Sequence, residues 1–184
     1  MSAFVKLLVL VVIVFVSGCA STVKKQSTGQ TALLAASVET RKVGLLITGT
    51  QESEASDDWQ TFRAEWRTAF SSAASKAGLG FAYFESEPPE QSLGTTLVKI
   101  TVNDYRYLTS GARYGFGIMI GNAFIDSNAE FIELPSRRSL GSLKYSTSSS
   151  AWEGVFSAMT DKQVMAISNA VIQEINRKRE SIAP

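Results

Sequence analysis

Trp59, Phe62, Trp66, Phe70, Ala73 and Ala77 recur at steps of three and four, so a helix through them carries one apolar stripe that must be buried. Its ends are written too. Ser56 is placed to cap it, Asp57 and Asp58 complement the positive end of its dipole, and Gly78 closes it after Lys76. A second stripe, Val164, Ile167, Val171 and Ile175, begins beside Thr160 and Gln163 at capping-box spacing, with Met159 and Val164 placed as a hydrophobic staple. Arg177, Lys178 and Arg179 fall at its negative end, where capping and solubility explain them better than a contact with acidic lipid or peptidoglycan.

Strand patterns lie around these helices. Residues 42–48 hold Val43, Leu45, Leu46 and Ile47 almost without interruption, the pattern of a strand buried on both faces. Residues 79–84 follow the first helix directly. Residues 95–108 alternate, with Val98, Ile100 and Val102 on one side and Lys99, Thr101, Asn103 and Tyr105 on the other. Residues 123–134 and 140–147 complete the set around a basic turn at Arg137 and Arg138. These patterns predict an α+β fold: a single domain with a mostly antiparallel sheet of about five strands and two long helices on one face, in the order β-α-β-β-β-β-α.

The start of the chain obeys a different rule. Residues 4–16 are apolar except for Lys6, well short of the ~20 residues that cross a bilayer core. A basic residue, a short apolar run and then small residues is the secretory plan. Val16-Ser17-Gly18-Cys19 ends the run and contains the single cysteine. This stretch resembles the signal of bacterial lipoproteins, with Val16 where that family usually has leucine. The resemblance implies a diacylglyceryl group on Cys19, cleavage between Gly18 and Cys19, and acylation of the new amine. It also implies outer-membrane sorting, because Ala20 stands where an aspartate would favour retention in the inner membrane. Each buried CH₂ contributes ~0.8 kcal/mol and one chain alone anchors only marginally, so three chains make attachment effectively permanent. An ordinary signal peptide with a chance cysteine is the alternative.

On this reading residues 1–18 are a cleaved signal, 19–37 a lipidated N-terminus and flexible tether, and 38–184 a periplasmic domain. The polar composition of residues 20–31 cannot offset the entropy of ordering. Removing the signal takes Lys6 from the 18 basic residues and leaves them equal to the 17 acidic ones, which argues against a protein that grips nucleic acid or coats an anionic membrane by charge. No cysteine is left for a disulfide, so the core alone must hold the domain.

Residues 110–122, SGARYGFGIMIGN, invite a phosphate-cradle reading through Gly111, Gly115, Gly117 and Gly121. Such cradles lead from a strand into a helix N-terminus, and here no helical stripe follows and the third glycine is misplaced. A hairpin corner, with glycines allowing positive φ and close strand approach, is the plain account. The other is a surface loop meeting a protein partner through Arg113, Tyr114, Phe116 and Met119.

Catalytic residues are scarce. The chain has no histidine, and Cys19 is consumed by lipid, which removes Ser-His-Asp catalysis, histidine metal sites and the usual general base. Asp57 with Asp58 and Glu130 with Glu133 are nominal carboxylate pairs. The first already serves a helix start, and the second, three apart on a strand, points to opposite faces. No catalytic residue, metal site or cofactor is expected; a Ser-Lys pair would be invisible in sequence. The aromatic stripe reads as core rather than a sugar platform, and Arg63 with Arg67 as solvated surface.

Taken together, the lipoprotein signal, a strand feeding Gly111-Ala112-Arg113-Tyr114-Gly115-Phe116-Gly117, a strand near Asp126, and Trp152-Glu153-Gly154-Val155-Phe156 before the last helix resemble bacterial lipoproteins of the DUF4410-like domain of unknown function. More loosely, the order of elements resembles small α+β domains of envelope accessory proteins, such as transport-auxiliary lipoproteins and the N-terminal domain of TolB-like proteins. The resemblance implies protein contacts rather than catalysis. The expectation is an outer-membrane-anchored periplasmic lipoprotein, attached through its lipid and serving as a non-catalytic accessory or scaffold component beside an envelope protein partner. The alternative is a binding module for a small ligand or glycan, with an enclosed pocket lined by Tyr83, Tyr105 and Tyr107.

Overall fold

The structure, a computed structural model, describes residues 22–27, 40–89, 93–107, 123–148 and 159–180. Its strands are β1 (Thr22–Ser27), β2 (Lys42–Gly49), β3 (Gly80–Phe84), β4 (Thr95–Arg106), β5 (Phe124–Leu134) and β6 (Arg138–Ser148). Its helices are the short α1 (Gln51–Glu54) and the long α2 (Trp59–Lys76) and α3 (Met159–Glu180). The sheet runs β1-β6-β5-β4-β2-β3.

The α+β class holds, but the sheet has six strands rather than about five, and it is mixed rather than mostly antiparallel. β2 is parallel to both β3 and β4, whereas β4–β5, β5–β6 and β1–β6 are antiparallel. The parallel pairs follow from connectivity. α2 returns the chain to the starting end of the sheet, so β3 runs alongside β2, and β4 starts from that same end at Thr95, opposite Lys42. The sixth strand is β1, whose six residues lie inside the segment read from sequence as a tether.

Both helical stripes are buried as expected, on the same face of the sheet. Trp59, Phe62, Trp66 and Phe70 of α2 and Val164, Ile167, Val171 and Ile175 of α3 form one cluster with Val43, Leu45, Ile47, Val98, Ile100, Val102, Ile125 and Tyr145. The second face carries a smaller cluster, Leu46, Leu97 and Leu134 with Phe84 and Ile132, which no described helix residue joins. Gly44 makes room for it: a Cβ there would lie 2.7 Å from Phe84 Cε2.

The helix ends are partly as read. Gly78 takes φ 67°, and α2 closes with Leu79 N–H donating to the Ala74 carbonyl at 2.9 Å and Gly78 N–H to Ser75 at 3.1 Å. Ser56 does not cap α2; its hydroxyl donates to the Ser53 carbonyl at 2.8 Å. Nor does Gln163 close a capping box. Its side chain is buried and donates sideways to the Ala123 carbonyl at 3.0 Å, tying α3 to the sheet.

A β-bulge corrects one face assignment. The register between β4 and β5 shifts between Val102 and Asp104, leaving Asn103 as an extra residue. Beyond it the alternation inverts, so Tyr105 turns toward the helices instead of sharing a side with Lys99 and Thr101, and Tyr107 follows it.

Candidate functional site

The bulge brings two tyrosines against the first turns of α2. The Tyr105 ring stacks on Phe62, centroids 4.2 Å apart at 1°, and Tyr107 meets Phe62 edge-on at 6.1 Å and 74°. Their hydroxyls reach carboxylates on the helix. Tyr105 donates to Asp58 Oδ1 at 2.5 Å, beside the Ser56 hydroxyl, and Tyr107 donates to Glu65 Oε1.

Asp161 at the start of α3 adds a third acid. Burial, then the neighbouring Asp161 carboxyl, push Glu65 up to about 7 despite the hydrogen bond from Tyr107. Burial and then Asp58 push Tyr105 up to about 12; burial and then Glu65 push Tyr107 up as well. Among the described residues Glu65 Oε2 is buried without a hydrogen-bond partner, which favours the protonated carboxyl. The cluster thus joins β4 to α2 through the two tyrosine hydrogen bonds, with Asp161 of α3 raising the Glu65 carboxyl. Asp57 is exposed, so the nominal Asp57 and Asp58 pair is split between solvent and the Tyr105 hydrogen bond.

This arrangement carries a pH dependence of known sign. Folded Glu65 holds a proton that the unfolded chain loses above the ordinary value of about 4.5, so its contribution to stability falls as pH rises from about 4.5 to about 7 and is level above that. Glu65→Gln keeps an oxygen for Tyr107 and removes the slope. At pH 8 it is expected to be more stable than wild type by about 1–2 kcal/mol, the shift being discounted for solvent screening. Urea unfolding at pH 5 and pH 8 reads this directly, and parallel pH profiles for the two proteins would contradict it.

Tyr83 stands apart from the other two tyrosines. It lies on edge strand β3, where Arg63 Nε donates to its hydroxyl at 3.0 Å and the Arg63 and Arg67 guanidiniums sit 5.8 and 5.4 Å from its ring centroid. The two arginines therefore tie α2 to β3 and are more than solvated surface. Beside them an open groove of about 870 Å³ runs between the helix and the strand, lined by Arg67, Ser71, Ser75, Phe81, Tyr83 and Glu85. The three tyrosines do not share one enclosed pocket.

The face of the sheet that no described helix covers holds a second open groove of about 510 Å³ whose lining includes Lys99, Thr101, Asn128, Glu130 and Ser142. Glu133 is directed elsewhere, paired with Arg138 at 3.0 Å, so Glu130 and Glu133 do not converge. At the far end of this face Glu87 meets Lys99 and Arg137, each at 3.2 Å, and the hydrogen bond from Lys99, then that from Arg137, hold its carboxyl below the ordinary range.

Sequence reasoning missed the contact that fixes β1. Lys25 and Arg177 both pair with Glu174, which is 5% exposed on α3. Burial alone would push the Glu174 carboxyl up; the hydrogen bonds from Lys25 and Arg177 outweigh it and hold the group below its ordinary range. A lysine in a polar stretch and an acid in a helix of mixed polarity carry no mark of pairing. The sequence-predicted residues Cys19, Arg113, Tyr114, Phe116 and Met119 lie outside the described residues. Among the described residues, no group of three or more His, Cys, Asp or Glu is placed to hold a metal, and no helix is long and apolar enough to cross a membrane.

No family model and no curated protein matches this chain. Solved structures that resemble it include the PelC dodecamer from Paraburkholderia phytofirmans, at 13% identity over 81% of this chain and 96% of that one, TM-score 0.47. Protein XCC0632 of family DUF330 from Xanthomonas campestris is 12% identical over 77% and 88%, also at 0.47. A neuraminyllactose-binding hemagglutinin homolog from Helicobacter pylori is 10% identical over 86% and 98%, at 0.39. At these identities and scores none of the three tells what this chain binds or does.

Proposed function

We propose that the chain is an outer-membrane-anchored periplasmic lipoprotein, of the DUF4410-like kind it resembles, serving as a non-catalytic accessory or scaffold component of an envelope assembly. The observation that carries this reading is the position of β1. The strand starts at Thr22, three residues after Cys19, pairs along its whole length with β6, and is pinned to α3 through Lys25 and Glu174. A lipid on Cys19 would hold the sheet by its edge with little slack, as suits a part that must be positioned.

The partner is an envelope protein, and Arg113, Tyr114, Phe116 and Met119 are its proposed contacts. Crosslinking in intact cells, followed by mass spectrometry, tests this on wild type and Phe116→Asp. The wild type is expected to capture one reproducible envelope protein, and the variant several-fold less of it. Identical captures would remove the loop from the account. The open groove between α2 and β3 favours a second reading, a module for a small ligand or glycan. Failure to capture any protein reproducibly would shift the assignment to that groove.

A further inference from the structure

We propose that one end of the sheet, the row Thr22, Ser148, Phe124 and Arg106, faces the phospholipid surface that holds the anchor, and that the short link from Cys19 sets this orientation. The inference rests on the reading of Cys19 as lipidated. The row is defined by register: Thr22 pairs with Ser148, Ser148 with Phe124, and Phe124 with Arg106. From it β1 runs away, since Ser27 already pairs with Leu143.

Geometry then limits the possibilities. Three residues span at most about 11 Å when fully extended, so Thr22 stays within that distance of an acylated residue at the headgroup boundary. β1 cannot peel away to lengthen the link without losing its ladder to β6 and stripping Lys25 from the buried Glu174 carboxylate. The opposite end of the sheet, with Thr95, Leu134 and the turn at Ser136, lies the length of a 12-residue strand away. At ~3.3 Å per residue that is roughly 36 Å.

The chemistry of the near corner agrees with a lipid surface. Arg106 is exposed with its guanidinium 5.7 Å from the centroid of the half-buried Phe124 ring, and Lys24 is exposed on β1. Cations beside an aromatic ring suit headgroup phosphates over an apolar boundary. Asp126 nearby is paired with Lys144 at 2.9 Å, and Asp104 is the exposed acid of β4. The exposed acids Glu52, Glu54 and Asp57 follow β2 at this same end of the sheet, beside β4, where Thr50 N–H donates to the Val102 carbonyl and Ser56 meets Tyr105; they lie away from β1, with β5 and β6 between. The β1 corner, not that acidic corner, leads toward the phosphates.

Acylation occupies the only natural cysteine, so one introduced cysteine can be labelled uniquely. The full-length lipidated protein is reconstituted in vesicles of phosphatidylethanolamine and phosphatidylglycerol doped with a headgroup-nitroxide lipid. The same fluorophore is placed on Lys24→Cys, Arg106→Cys or Ser136→Cys. Quenching is expected to be several-fold stronger at positions 24 and 106 than at 136. Equal quenching, or stronger quenching at 136, in samples whose intact mass includes the acyl chains would overturn the orientation alone. A mass without acyl chains would overturn the lipoprotein reading itself, and the orientation with it. A long Gly-Ser insertion after Ala20 should erase the difference; its survival would overturn the role given to the link.

Discussion

Replacing Trp66 with alanine is expected to lower folding stability by about 3–5 kcal/mol, the range for deleting a large aromatic side chain from a packed core. Trp66 is fully buried, meets Phe62 edge-on at 6.0 Å and 80°, and packs against Phe70 at 5.9 Å. Among the described residues its indole Nε1 has no hydrogen-bond partner, so truncation orphans no polar group there and the loss is one of apolar packing and cavity. Ile167→Ala, in the facing stripe of α3, should cost about 2–5 kcal/mol for the same reason. Thr61→Ala, on the exposed side of α2, should stay within about 0.5 kcal/mol. Urea unfolding of the domain reads all three, with an unchanged slope marking a change in stability rather than in the denatured state. A loss below about 1 kcal/mol for both core variants would mean that the two stripes do not form the main core.

The parts of the fold that were legible are those in which burial dictates a period. α2 and α3 each bury one side against one sheet face, so their stripes and approximate limits were readable. β2 was readable for the opposite reason: Val43 and Leu45 serve one core cluster while Leu46 serves the other, and the run has almost no polar break. β1 was not, because an edge strand held by backbone pairing and an ion pair needs little apolar content; Val23 packs against the core. Parallel pairing was less legible, since an unbroken apolar run such as that of β2 suits parallel neighbours without requiring them. The face of Tyr105 was misread because the bulge at Asn103 uses neither glycine nor proline, and a single extra residue inverts every side chain beyond it. That inversion separates Tyr105 and Tyr107, which bond Asp58 and Glu65, from Tyr83 at the sheet edge beneath its two arginines.

Replacing Cys19 with alanine is expected to have an all-or-none effect on membrane attachment. With ~0.8 kcal/mol contributed per buried CH₂, three acyl chains make spontaneous release negligible, whereas none leaves the folded domain without that anchor. Among the described residues no helix is long and apolar enough to cross a membrane in its place. Labelling cells with a palmitate analogue and then separating inner from outer membranes measures this on both proteins. The wild type is predicted to carry the label and fractionate with the outer membrane, and Cys19→Ala to incorporate none; equal label in the two proteins would contradict the anchor, and a labelled wild type found in the inner membrane would contradict the sorting.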